Sequence, residues 1–205
     1  GVIKTILAVV EDAKRAAGFV ESVLTIADYR QAHVIFDVLT PAPLISDKFA
    51  PLGTLYTWPG DLERLAEDQA SAIRALLPSD VHAEVISHLD EVGWIPGDLR
   101  ATAPLADLIV IGPADAWTID WLRRRTIETL LLSSGTPLLL LPSGRSIRSI
   151  EHAVLGWKPG AAAARTMHDL ISLAAPGAHI DVVSVKHGLG DQPETNLEPV
   201  VVMLG

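Results

Sequence analysis

Short apolar runs alternate along the chain with longer segments in which apolar residues recur every three or four positions. Continuous apolar runs indicate strands buried on both faces of a parallel sheet, and the spaced segments indicate amphipathic helices. The predicted strands are residues 2–10, 33–39, 81–87, 108–111 and 138–141, and the predicted helical segments are residues 13–29, 62–77, 93–104 and 121–134. This alternation predicts an α/β fold with a doubly wound, open, parallel five-stranded sheet.

The most informative stretch is residues 107–142, which contain a strand, a turn, a helix and a second strand in one continuous run. The first of these strands ends at Gly112 and Pro113. In open parallel sheets, ligands bind in the crevice beyond the carboxyl ends of the strands. A ligand is therefore expected at the turn that begins at Gly112.

The second half of the chain repeats the order of elements found in the first. Residues 150–185 align with residues 3–38 at a constant offset and without a gap; few residues are identical, but strand falls on strand and helix on helix. The polar segment 143–149 is the predicted linker. We therefore expect a first domain at residues 1–142 and a partial second copy at residues 150–205. Since the second copy is shorter than the first, we expect the protein to continue or part of it to be absent from this sequence.

Composition limits the classes of partner. A net charge of −9 disfavours nucleic acid and anionic membranes, and no apolar run approaches the roughly 20 residues that span a bilayer. The absence of cysteine excludes disulfides, thiolate metal ligands and cysteine nucleophiles. The seven histidines lack metal-ligand spacing, and no set of residues with catalytic spacing is visible. The chain also lacks a signal-peptide pattern at its N-terminus, so a cytoplasmic location is the expectation.

With these elements in place, the chain resembles the universal stress proteins, of the tandem type with two domains in one polypeptide. That family has a Rossmann-like fold of the adenine-nucleotide α-hydrolase-like group. Members that bind ATP carry Gly-x2-Gly-x9-Gly, followed by Ser or Thr, after the fourth strand. The spacing is retained in this sequence, but only Gly112 is a glycine, since Asp115 and Arg125 occupy the other two positions and Thr126 the hydroxyl position.

The two replaced glycines predict a degenerate nucleotide site. A carboxylate at Asp115 repels phosphates, at a cost of about 1 to 4 kcal/mol, and a side chain at position 125 restricts the backbone. Arg125 either contributes a positive contact or pairs with Asp115 and fills the site. The resemblance also implies an acidic residue at the end of the first strand, near the adenine and ribose. The candidate binding residues are therefore Glu11, Asp12, Gly112, Asp115, Arg125 and Thr126, with ATP or another adenine nucleotide as the possible ligand.

Three functions remain open at this point. The resemblance favours a cytosolic bacterial universal stress protein that acts as a non-catalytic ligand- or partner-binding module. The alternative is an enzyme of the adenine-nucleotide α-hydrolase-like group that binds and hydrolyses ATP. A third interpretation is a structural domain that holds a competent second domain in place. The resemblance further implies that domains or chains pair through their last strands, so the predicted contact edge consists of Leu138, Leu139, Leu140 and Leu141.

Overall fold

A computed structural model describes residues 3–43 and 59–141, together with the backbone of three later strands. The first five strands are β1 (Thr5–Val10), β2 (His33–Ala42), β3 (Ala83–Glu91), β4 (Leu108–Ile111) and β5 (Leu138–Leu140). The helices are α1 (Ala17–Arg30), α2 (Pro59–Leu76), α3 (Ile95–Asp98) and α4 (Asp120–Ser133). The later strands are β6 (His152–Trp157), β7 (His179–Val185) and β8 (Leu197–Met203).

The first five strands lie in the order β3-β2-β1-β4-β5, and every neighbouring pair among them is parallel. The predicted α/β fold with a doubly wound, five-stranded parallel sheet is confirmed. The strand order reverses direction at β1, which pairs with β2 on one side and with β4 on the other. The crevice expected for such a sheet therefore lies beyond the carboxyl ends of β1 and β4.

Each face of the sheet has its own apolar core. On one face, α1 and α2 cover side chains that include Ile6, Phe36 and Val110. On the other face, α4 and residues 95–106 cover side chains that include Leu7, Val9, Ile35, Leu39, Ile109 and Ile111. Because successive residues of a strand face opposite sides, burial on both faces requires the continuous apolar runs seen in the sequence.

Several element boundaries differ from the predicted ones by a few residues, and the predicted helical segment 93–104 is one short turn of α-helix followed by two 3-10 turns. Two of the differences have a local cause. Helix α1 begins at Ala17 rather than at residue 13, because Asp12 accepts a hydrogen bond from the Lys14 amide at 3.0 Å and closes a separate 3-10 turn at Ala13–Arg15. Strand β3 continues to Glu91, because it pairs with β2 from Val34 as far as Ala42.

Three further strands extend the sheet beyond β5. Strand β6 pairs antiparallel with β5 over Leu138–Leu140, β7 is parallel to β6, and β8 is antiparallel to β7. A strand of the same chain therefore lies along the edge that the sequence identified as a contact edge. The predicted linker at 143–149 lies outside the described residues, and the two-domain division and the partial second copy stay predictions.

The amino end of β1 is tied to the start of β4 by one carboxylate. Asp107 Oδ2 accepts hydrogen bonds from the amides of Lys4 at 2.9 Å and Thr5 at 3.0 Å, and the Asp107 amide donates to the Thr5 carbonyl at 2.9 Å. These bonds fix the register of the two central strands where the apolar pairing begins.

We expect Asp107→Ala to lower the free energy of unfolding by about 1 to 3 kcal/mol, because two backbone donors lose a charged acceptor. Urea unfolding followed by circular dichroism measures the change. The exposed Asp68→Ala on α2 is the control and should change stability by less than about 0.5 kcal/mol. Equal effects of the two substitutions would contradict this role for Asp107.

Candidate functional site

Glu11 is a buried carboxylate at the carboxyl end of β1. Its side chain is only 6% exposed, and Oε2 accepts a hydrogen bond from the Thr118 amide at 2.6 Å. Gln69 of α2 bonds to the backbone at the same place, donating to the Glu11 carbonyl at 2.9 Å and accepting from the Ala13 amide at 3.0 Å. The end of β1 is therefore held by both α2 and the segment that follows β4.

Asp12 also contacts Thr118. Its Oδ2 accepts a hydrogen bond from the Thr118 hydroxyl at 2.7 Å and lies 3.5 Å from Arg15 Nε, while Oδ1 caps the turn that begins at Ala13. Thr118 thus donates its amide to Glu11 and its hydroxyl to Asp12. Both acidic side chains after β1 therefore accept a hydrogen bond from the same residue.

Gly112 ends β4 in a closely packed position. A Cβ added there would lie 3.1 Å from two ring atoms of Phe19, a distance shorter than almost all real Cβ contacts. The Gly112 carbonyl accepts a hydrogen bond from Arg123 Nε at 3.0 Å. Burial lowers the pKa of Arg123, and the Asp120 and Asp115 carboxylates partly offset that effect. Arg123 therefore connects α4 to the turn after β4.

The short segment between Gly112 and α4 folds back onto the sheet. Residues 114–116 form a 3-10 turn, and its last residue, Ala116, is buried with Trp117 in the core beneath α4. Trp117 is 3% exposed. This packing places Thr118 over the end of β1, where Glu11 and Asp12 accept its hydrogen bonds.

The remaining candidate residues do not join this group. Asp115 is exposed in the 3-10 turn. Arg125 is exposed on α4, and its Nη1 lies 3.7 Å from Glu128 Oε2, so its ion-pair partner is on its own helix rather than at Asp115. Thr126 is completely buried on the inner face of α4, and its hydroxyl has no hydrogen-bond partner within the described ranges.

The start of α4 explains this separation. The helix begins at Asp120, so positions 125 and 126 lie in its second turn rather than in a loop. Consecutive residues of a helix point about 100° apart, which puts Arg125 in solvent and Thr126 in the core. The structure therefore brings together Glu11, Asp12 and Gly112. The assignment of all six candidate residues to a ligand stays a prediction.

Two residues that organise the site were not identified from the sequence. Thr118 is a single hydroxyl residue in a turn, and nothing in its neighbourhood indicates two acidic partners more than 100 residues earlier. Arg123 is the first of three consecutive arginines at positions 123–125, and the sequence does not distinguish them. Only the position of the helix start shows which of the three reaches the turn.

Metal and membrane sites receive no support from the described part of the chain. No three His, Asp or Glu side chains in it are grouped so that they could hold a metal ion. None of its helices is long and apolar enough to cross a membrane.

No family model and no curated protein matches the chain. Most of the solved structures found to resemble it are universal stress proteins. One, a universal stress protein in complex with cAMP, is 14% identical and covers 70% of this chain and 100% of its own, with a TM-score of 0.41. A member from Burkholderia pseudomallei is 16% identical over 70% of this chain and 98% of its own, with a TM-score of 0.41. A deacetylase of teicoplanin biosynthesis is 14% identical over 67% of this chain and 66% of its own, with a TM-score of 0.42.

We expect Thr126→Val to raise the free energy of unfolding by up to about 1 kcal/mol, because it replaces a buried, unbonded hydroxyl with a methyl group of the same shape. Urea unfolding measures the difference. Thr129→Val on the partly exposed side of α4 is the control, with an expected change within about 0.5 kcal/mol. A loss of stability in Thr126→Val would contradict the absence of a partner for this hydroxyl.

Burial raises the pKa of the Glu11 carboxyl above its ordinary value of 4.5, although the amides of Thr118 and Ile119 oppose this effect. The folded chain therefore holds the Glu11 proton more tightly than the unfolded chain does. This contribution to stability is fully present below pH 4.5 and is lost as pH rises through the pKa of the folded state.

Glu11→Gln keeps an acceptor for the Thr118 amide but carries no charge. We therefore expect its stability advantage over the natural sequence to be near zero below pH 4.5 and to grow to a plateau at neutral pH. Unfolding in urea between pH 4 and pH 8 measures the difference at each pH. The exposed Glu67→Gln should give a difference that does not vary with pH in this way. A stability advantage of Glu11→Gln that falls as pH rises would contradict the raised pKa of Glu11.

Proposed function

We propose that this chain is a cytosolic bacterial universal stress protein of the tandem type, and that residues 1–142 act as a non-catalytic ligand- or partner-binding module. In this proposal the adenine-nucleotide site of that part is closed by its own chain. The observation that carries the proposal is the double hydrogen bond of Thr118, through its amide to Glu11 and through its hydroxyl to Asp12.

The first support is the chemistry of the closed site. In the family pattern, an acidic residue after the first strand lies near the adenine and ribose. In this chain a nucleotide must displace Thr118 before it can reach Glu11. Displacement leaves a buried carboxylate without its amide donor, at a cost of about 1 to 3 kcal/mol or more. A ligand that binds elsewhere on the surface does not meet this cost.

The second support is the lack of a phosphate cradle. Phosphates bind where several backbone amides converge, usually in a glycine-rich loop before a helix. The corresponding positions here are the exposed Asp115 and two residues inside α4. Arg125, the cation that an occupied site would need, is exposed and paired with Glu128. Binding and hydrolysis of ATP, the alternative function, lack both the loop and the cation.

The proposal also includes pairing between the two predicted domains through β5. An unpaired edge strand exposes backbone donors and acceptors and promotes association. Leu138, Leu139 and Leu140 pair with residues of β6, so the chain uses this edge itself. We therefore propose pairing within one polypeptide rather than a homodimer through the same strand.

The decisive experiment measures nucleotide binding with the closure intact and broken. Thr118→Pro removes both the backbone N–H that donates to Glu11 and the hydroxyl that donates to Asp12. Proline should be tolerated at this position, because Trp117 already has the extended backbone (φ −115°, ψ 143°) that a residue before proline requires. Thr118→Ala is the matched control, because it removes only the hydroxyl. Calorimetric titration with ATP, AMP and cAMP is carried out on both variants and on the natural sequence.

We expect no bound nucleotide in the natural protein as purified and no binding heat on titration. Thr118→Pro should be less stable by about 1 to 3 kcal/mol and should bind adenine nucleotide more tightly than Thr118→Ala does. Restoring the family glycines with Asp115→Gly and Arg125→Gly should not by itself create binding. One adenine nucleotide per natural chain, lost in Glu11→Ala, would overturn the closed-site proposal.

A further inference from the structure

Asp37 is a charged residue in the middle of an apolar strand. It lies in β2 and is completely buried. Ile35 and Leu39, two positions before and after it, belong to the core beneath residues 95–106 and α4. Since alternate residues of a strand face the same side, the Asp37 carboxylate also lies on this apolar face. A carboxylate in such a place is unfavourable unless other groups compensate for the loss of water.

Two partners from two different elements meet this carboxylate. The Thr102 hydroxyl, from the segment after α3, donates a short hydrogen bond to Asp37 Oδ2. His88 of β3 places Nε2 at 3.1 Å from Asp37 Oδ1. Asp37 therefore connects its own strand both to β3 and to residues 95–106, which we call the crossing segment because it runs over the sheet from β3 to β4.

The contact between His88 and Asp37 is strongest when the imidazole is charged. His88 Nε2 and Asp37 Oδ1 are at ion-pair distance. A charge–charge attraction of this kind largely disappears when the imidazole is neutral. The bond from Thr102 does not depend on that proton. The Asp37 group thus has one constant partner and one partner that depends on pH.

The charged groups that face His88 are carboxylates from each element packed around it. Asp37 lies on β2 and Asp98 on α3; burial, and after it the neighbouring Asp90 at the end of β3, raise the pKa of Asp98. The interaction with Asp37 raises the pKa of His88 above its ordinary value of 6.5, and burial opposes the rise. The His88 side chain is 12% exposed, so protons from solvent can reach it.

We propose that Asp37, His88 and Thr102 form a pH-sensitive latch that fastens the crossing segment to the sheet and tightens when His88 is protonated. The crossing segment packs against α4, the helix whose Arg123 bonds to the turn at Gly112. Tightening or loosening of the latch therefore acts on the layer that supports the closed site, without requiring any ligand.

The direction of the pH effect follows from linkage. The folded state holds the His88 proton more tightly than the unfolded state does. The stabilisation is fully present below pH 6.5 and is lost as pH rises through the pKa of His88 in the folded chain. Local opening of the crossing segment is therefore more frequent on the alkaline side of this transition.

Hydrogen exchange followed by mass spectrometry tests the latch in the full chain. The crossing segment offers suitable reporters, because the amides of Thr102, Leu105 and Ala106 donate hydrogen bonds within it. After correction for the intrinsic pH dependence of exchange, protection of this segment should fall by about threefold or more between pH 5.5 and pH 8.5.

Three variants separate the parts of the latch. In His88→Gln, protection of the crossing segment should be low at every pH and equal to that of the natural protein at alkaline pH. His82→Gln, which alters an exposed histidine just before β3, should behave like the natural protein. Thr102→Val should lower protection at every pH and keep the pH dependence. Protection that does not vary with pH in the natural chain, or that falls as much in His88→Gln as in the natural chain, would overturn the proposal.

A titration of the natural protein keeps the proposal testable if His88→Gln does not fold. Nuclear magnetic resonance follows the His88 ring and the backbone amides of the crossing segment in one sample. The expected result is a His88 midpoint above 6.5, with amide shifts in the crossing segment that share the same midpoint. A midpoint at or below 6.5, or amide shifts that do not follow His88, would contradict the latch.

Discussion

The parallel pairing of β1 on both of its edges is the constraint on which the rest of the fold depends. β1 hydrogen-bonds to β2 on one side and to β4 on the other, and its residues 6–9 are completely buried. Parallel neighbours require crossover connections, so helices must cover both faces. The same arrangement brings the residues after β1 and after β4 to one edge. Glu11 and Gly112 lie there because of the topology, whatever function the edge has.

Closure of this edge follows from where α4 begins. A glycine inside a helix costs about 1 kcal/mol relative to ordinary helix formers, so a glycine at position 125 disfavours a helix that runs through it. This chain has arginine there, and Asp120 adds a favourable negative charge to the first helical turn. The helix then includes residues 125 and 126. The short segment left between Gly112 and Asp120 bends back, and Thr118 meets the acidic residues after β1.

The sequence was sufficient for the fold because burial on both faces leaves a local pattern, as at Leu108–Ile111. It was not sufficient for the site, since each decisive contact joins distant residues. Thr118 bonds to Glu11 across 107 positions, and Thr102 bonds to Asp37 across 65. The sequence does indicate that Asp37 has a buried partner, because a charged residue inside an apolar strand is rarely buried without one. Which residue supplies that partner depends on the register between β2 and β3.

Proton binding affects both polar groups, the one at the carboxyl end of β1 and the one around Asp37. The pKa of Glu11 is raised by burial, that of His88 by its contact with Asp37, and that of Asp98 by burial and by Asp90. For all three residues, the folded state binds the proton more tightly than the unfolded chain does. Their combined contribution to the free energy of unfolding therefore has one sign, and this contribution grows as pH falls from neutral.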